Sequence, residues 1–198
     1  VARAGDALKH GHVYGSSPHG GVLAILGDDH GCVSSSMPHQ SDQAFQAWHA
    51  PIVSPGNVAE YLEFGLYGWA LSRFSGNWVG FTALSEVVES GSTVDLDETN
   101  ARVAAWHGSD DVLRATGFVP PADGLHYRWP DLPSLKIEAR LLAKLDAVRA
   151  FAKVNAIDRD IVTAPRASVG IVTCGKAHLD LLEVFRRLDI PLTALAEA

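Results

Sequence analysis

An α/β fold, a parallel sheet flanked by helices, is the class this sequence predicts, and three observations carry it. GVLAIL at 21–26 is an unbroken apolar run bounded by glycines, with a strand's length and no half-exposed alternation. A helix with a clear start signal follows at 54–73, and WVGFTAL at 78–84 then reads as a second strand. Strand, loop, helix, strand is the order from which doubly wound sheets are built.

Taken in chain order, residues 1–21 lack an initiator Met and open polar and glycine-rich. They are expected to be a flexible terminus, or a chain entered partway through a larger protein. After the strand at 21–26, GDDHGCVSSSMPHQSD (27–42) forms a loop at its carboxyl end. A short helix ends near Trp48, and Ala50 to Val53 makes a short strand. Ser54 as cap and Pro55 at the first helical position then start a helix that runs to about Arg73. Val58, Leu62, Leu66, Trp69 and Phe74 fall near one of its faces. Gly65 and Gly68 weaken it by about 1 kcal/mol each relative to Ala, and are read as marks of close packing. STVDLD at 92–97 alternates and is a further strand candidate.

From 98 to 133 the periodicity fades, and GLHYRWPDLP reads as a laid-down connector with aromatic anchors. A long helix follows over Ser134 to Val154, with Leu141, Leu145, Val148 and Ala152 on its buried stripe. Next comes a strand at Val169 to Thr173, a turn at Gly175, and a helix bearing Leu181, Leu182, Phe185 and Leu188. IPLTAL begins one more strand. The expected organisation is one α/β domain over 1–97, a crossover and long helix over 98–164, and the start of a second α/β domain over 165–198.

Composition narrows the function classes. The 198 residues carry a net charge of −7 with histidines neutral, and the basic residues are scattered. That argues against a nucleic-acid partner. The two cysteines, Cys32 and Cys174, lie far apart, which argues against a disulfide scaffold and leaves too few thiolates for an iron–sulfur cluster. No apolar run reaches the length of a bilayer span and no signal peptide is visible, so the expected location is the cytoplasm.

Residues 27–42 hold most of the candidate chemistry. Asp28, Asp29 and His30 are adjacent, and alternate residues at a strand end point in opposite directions, which argues against one metal bound by all three. His39 and Asp42 would join a site only if the loop folded back. Cys32 would act as a nucleophile with His30 or His39 as base, and a small hydrolase built on Asp29, His39 and Cys32 would need those groups within about 3 Å of one another. Against these stands the habit of Asp, Ser and His in turns to bond their own backbone. The phosphate-loop pattern is approached by Gly170 and the Gly175–Lys176 pair. Ala177 stands where a hydroxyl would take Mg²⁺, and the intervening IVTC is not glycine-rich. SSPHGG at 16–21 is a second loop with close backbone approach, and His19 is expected to donate into the same cleft as 27–42.

Four stretches together carry a family likeness: SSPHGGVLAILGDDHGCVSSSMPHQSD, VSPGNVAEYLEFGLYGWALSRFSGNWVGF, DGLHYRWPDLP and VGIVTCGKAHLDLLEVFRRL. In this order they resemble the long fused form of the indolepyruvate:ferredoxin oxidoreductase family, thiamine-diphosphate-dependent 2-oxoacid oxidoreductases. The resemblance implies the carboxyl-terminal part of a thiamine-fold domain of the pyrimidine-side type. A small domain like the last domain of transketolases would then begin after it. In such enzymes a 2-oxoacid is decarboxylated on the cofactor, iron–sulfur clusters take the electrons on to ferredoxin, and coenzyme A takes the acyl group. Ser17, His19, Gly20, Asp29, His30, Ser34, Ser35, His39 and Gln40 match the family's loops near the cofactor cleft and domain interface. No catalytic or metal-ligating role is carried over to any residue. The activating glutamate, the Mg²⁺ and diphosphate domain and the cluster-binding cysteines of the family have no counterpart in this sequence. The resemblance therefore implies an inactive piece that works with further domains or a partner subunit, in a homodimer. The alternative reading is an interaction module that kept the fold without the chemistry.

Overall fold

The structure, a computed structural model, describes residues 2–126 and 128–197; Tyr127 of the connector motif lies outside them. Three strands, β1 (Val22–Asp28), β2 (Ile52–Val53) and β3 (Trp78–Leu84), form one parallel sheet in the order β1-β3-β2. Val22 lies opposite Trp78 and Asp28 opposite Leu84, while Ile52 and Val53 face Gly80 and Phe81. The mixed α/β class with a small parallel sheet between helices is what the sequence predicts. Burial of β1 differs from expectation. Ile25 is 63% exposed because β1 is an edge strand, with a strand neighbour on one side only.

Residues Gly5–Tyr14 form a helix, α1, preceded by a single 3₁₀ turn, where a flexible terminus is expected. Gly11 within it lets the helix lie on the Trp78 ring, which a Cβ at that position would overlap. The helix ends at Gly15, whose φ of 87° is a glycine conformation. Ser16 then fixes the chain to the body. Its N–H donates to Gly76 O (2.9 Å) and its hydroxyl to Ser72 O (2.8 Å).

A short helix α2 (Asp42–Ala47) brings Phe45 onto Leu26 and Ala50 in a small cluster on one face of the sheet. The long helix α3 (Val58–Ser75) covers the other face. Its cap is Asn57 rather than Ser54 and Pro55. The Asn57 side chain accepts from the Glu60 N–H (3.0 Å), and the Glu60 carboxylate reaches back to the Gly56 N–H (2.7 Å), a variant of the capping box. Gly68 is the contact point with the sheet, since a Cβ there would lie 2.6 Å from Leu23 and 3.4 Å from Val79. The close-packing expectation holds for that glycine. The buried face is consequently Phe64, Tyr67, Gly68, Leu71 and Ser72, and Leu62, Leu66 and Trp69 point outward at 43–45% exposure. Apolar residues surround this helix, so closest approach rather than a stripe selects the face.

Beyond β3 comes one turn of helix, α4 (Ser85–Val88). STVDLD is a loop running into the first turn of a helix rather than a strand, because its Asp95 carboxylate caps that helix, α5 (Leu96–Ala104), by accepting from Asp97 and Glu98 N–H. The weakly periodic stretch also holds α6 (Ser109–Thr116), whose Val112 is fully buried. The last long helix, α7 (Lys136–Val154), begins two residues later than expected and turns a different face inward: Arg140, Lys144, Ala147, Ala150 and Phe151. Leu141, Leu145, Val148 and Ala152 are only half-buried on its flank. Two cations thus sit where an apolar stripe is expected. Arg140 can do so because Asp131 and Asp123 hold its guanidinium. The main core joins Val53, Val79 and Phe81 of the sheet to Phe64, Tyr67 and Leu71 of α3 and to Val112, Ala150 and Phe151. Tyr67 stacks edge-on against both Trp106 (5.4 Å) and Phe151 (5.3 Å).

The strand expected at Val169 to Thr173 is irregular, largely exposed chain; Val169 is 72% and Val172 98% exposed. It pairs with no strand among the described residues. The following helix, α8 (Lys176–Arg187), forms as predicted but buries no residue fully, and the strand expected from IPLTAL is a short helix, α9 (Leu192–Glu197). No helix among the described residues is long and apolar enough to cross a membrane.

Candidate loop at the carboxyl end of β1

Asp28 and Asp29 close β1, and their two carboxylates are used in opposite directions, as strand geometry requires. Asp28 accepts from the Ser41 N–H (2.9 Å) and hydroxyl (2.6 Å), with the His30 ring 4.0 Å away. Asp29 turns into its own loop. Its carboxylate accepts from the N–H groups of Val33 (2.8 Å), Ser34 and Ser35 (both 2.9 Å), and from the Ser85 hydroxyl (3.2 Å). The Val33 and Ser34 amides, with that of Ser35, hold the Asp29 carboxyl well below the usual carboxylate range, against the opposing effect of burial. Across the neck of the loop, Asp29 and His39 exchange backbone hydrogen bonds (3.0 and 3.3 Å). Cys32 sits at φ 55° and turns its thiol onto Ser35 O (2.9 Å).

This loop is a self-bonded shelf. Three backbone amides, and a Ser85 hydroxyl shared with Glu86 (3.0 Å), bring the Asp29 carboxylate close to saturation, which makes it a poor base or metal ligand. The hydrolase arrangement fails on the same ground, since neither His39 nor Cys32 is a partner of that carboxylate. No group of three metal-capable side chains occurs among the described residues. The phosphate-loop segment is irregular chain that ends at Gly175 against Ser54, and Lys176 at the start of α8 is spent on Asp180 (2.7 Å).

Of the predicted residues, Asp29, Ser34, Ser35 and the His39 backbone come together. His30 and the His39 side chain face solvent, and Gln40 accepts from Gln43 (3.3 Å). Ser17, His19 and Gly20 lie at the other end of β1, about 20 Å of extended chain away, so the single shared cleft does not form. There the His19 N–H donates to the Ser17 hydroxyl (3.1 Å), and the Gly20 carbonyl accepts from Arg73 (3.0 Å). Ser17 also lines an open groove of about 590 Å³ with Tyr14, Pro18, His126 and Trp129. Ser41 and Ser85 are the participants that sequence reasoning missed. Only the register that sets Asp28 opposite Leu84 brings Ser85 to Asp29, and register is not visible in either segment alone.

The residues present do not fit the diphosphate and Mg²⁺ end of thiamine diphosphate, because the two carboxylates nearest the sheet's carboxyl edge are already engaged by protein donors, Asp29 by its own loop and Asp28 by Ser41. No family model, curated protein or solved structure matches the chain.

Proposed function

We propose that this chain is part of a thiamine-diphosphate-dependent 2-oxoacid:ferredoxin oxidoreductase of the indolepyruvate type. In this reading residues 1–97 belong to the pyrimidine-side thiamine-fold domain, and 165–198 begin a transketolase-like final domain. The chain supplies a rigid shelf at the cofactor cleft or domain interface and no acid, base or metal ligand. The thiamine diphosphate, Mg²⁺, iron–sulfur clusters, and the sites for coenzyme A and ferredoxin belong to other domains or a partner subunit.

The observation that carries the reading is position. GDDHGCVSSSMPHQSD, the most family-like stretch, forms the loop at the carboxyl end of a parallel strand, where open α/β sheets place ligands and contacts. Asp29 makes that loop rigid without spending it on chemistry. Indolepyruvate-dependent, coenzyme-A-dependent reduction of ferredoxin by the product of the complete reading frame is the test. No reduction by a preparation that carries its iron–sulfur clusters and thiamine diphosphate would overturn the reading. The same saturation of Asp29 favours the alternative, an interaction module, and that outcome would leave it standing.

A further inference from the structure

We propose that α1 is an acid-released strap, hinged at Gly15, that covers the amino end of the sheet at neutral pH and lifts away when His12 takes up a proton. His12 is 1% exposed, and neither ring nitrogen has a hydrogen-bond partner. Lys144, also 1% exposed, lies beneath α1 and holds it through one hydrogen bond, from Nζ to Val13 O (3.3 Å). The Trp78 indole N–H also ties the helix end, donating to Gly15 O (2.9 Å).

The charges around His12 are cationic. From α7 it faces Lys144, with Arg140 behind it, and from the turn after α2 it faces His49. Asp131, in the turn before α7, attracts Lys144 but is engaged by Arg140 (2.5 Å). Elsewhere on α1, Asp6, Lys9 and His10 are exposed and Tyr14 is half-buried. No carboxylate among the described residues forms an ion pair with either His12 or Lys144. A proton on His12 would therefore be buried beside an ammonium, with only the nearby Trp48 and His49 backbone groups to offset it.

Relief by movement is easiest at the hinge. Gly15 is a glycine in a left-handed backbone conformation, and Ser16 directly after it is anchored by two hydrogen bonds to Gly76 and Ser72. Rotation before Ser16 would release α1 and leave the sheet in place, uncovering the Trp78 ring. Burial first, then Lys144 and His49, lowers the His12 pKa from 6.5 to about 4. A released helix would restore the ordinary value, so acid favours release.

Hydrogen exchange read by mass spectrometry on the intact chain, corrected for intrinsic rates, tests this. Between pH 7 and pH 5 the amides of residues 5–14 should lose about 20-fold in protection relative to those of α3 and α7. His12→Phe should abolish that loss. Equal loss in the variant, or loss shared equally by α3 and α7, overturns the proposal. Should the variant not fold, titration of the wild-type ring by nuclear magnetic resonance decides. Protonation of His12 while residues 5–14 stay protected overturns the strap, and protonation only as protection falls supports it.

Discussion

Lys144→Met should stabilise the protein at neutral pH, although it removes a hydrogen bond. The ammonium is buried, and burial, with Arg140 close by, lowers its pKa from 10.5 to about 8, Asp131 opposing. Above pH 10.5 the lysine is neutral in both folded and unfolded chains and has no effect. Between 10.5 and 8 the unfolded chain binds the proton and the folded one does not, so stability falls with falling pH by about 1.36 kcal/mol per pH unit. The deficit reaches about 3 kcal/mol near pH 8 and persists below it. Methionine keeps most of the unbranched side chain, one atom shorter, and removes the charge, while Val13 O loses its donor at a cost of about 1 kcal/mol. A net gain of about 2 kcal/mol at pH 7 follows. Urea unfolding followed by tryptophan fluorescence at several values between pH 7 and 10.5 measures it. The difference between variant and wild type should shrink as pH rises and change sign at about pH 10. A variant less stable at pH 7, or a gap that does not vary with pH, would refute the reasoning.

Two further substitutions probe other parts. Arg140→Met leaves Asp131, 4% exposed, without its partner, and should lower stability by about 3–5 kcal/mol in urea unfolding. Adding Asp131→Leu should recover more than half of that. Because Arg140, with Arg128, holds Asp123 at about 2 and also lowers Asp131, the wild-type network is stabilising above the ordinary aspartate pKa and is lost as pH falls toward 2. Asp29→Asn keeps the shape of the side chain, but its amide nitrogen meets donors where the carboxylate accepted. Cleavage within residues 30–38 by a nonspecific protease should then accelerate about tenfold while the core resists; an unchanged rate would show that the loop does not depend on that carboxylate.

Legibility in the sequence followed locality. The GVLAIL and WVGFTAL strands, the helix before residue 76 and the long helix to Val154 were all readable, because each is set by its own residues. Facing was not. Gly68 turns α3 so that Leu62, Leu66 and Trp69 lie outside, and Asp131 with Asp123 draws Arg140 inward on α7, so both helices bury a face that hydropathy alone does not mark. The segments 92–97 and 169–173 show the converse. Each alternates or is apolar enough for a strand, but strand structure requires an edge to pair with, and neither finds one among the described residues. At the 27–42 loop the backbone-bonding habit of Asp and Ser was readable, and Asp29 obeys it. Its bond to Ser85 spans 56 residues, so it rests on sheet register and was not readable.

Ser72 has a consequence for which residues that position can tolerate. Its hydroxyl, fully buried, accepts from the Val22 N–H (2.8 Å) and donates to Asn77 O (2.5 Å), while its carbonyl holds Ser16. A hydroxyl has one proton, so giving it to Asn77 fixes the direction of the whole relay from the start of β1 to the start of β3. Alanine would leave one donor and one acceptor stranded, and asparagine would not fit a site with no exposed surface. Position 72, in the last turn of a helix and bonded to the start of the SSPHGG loop, is thereby confined to a hydroxyl-bearing residue small enough to be enclosed.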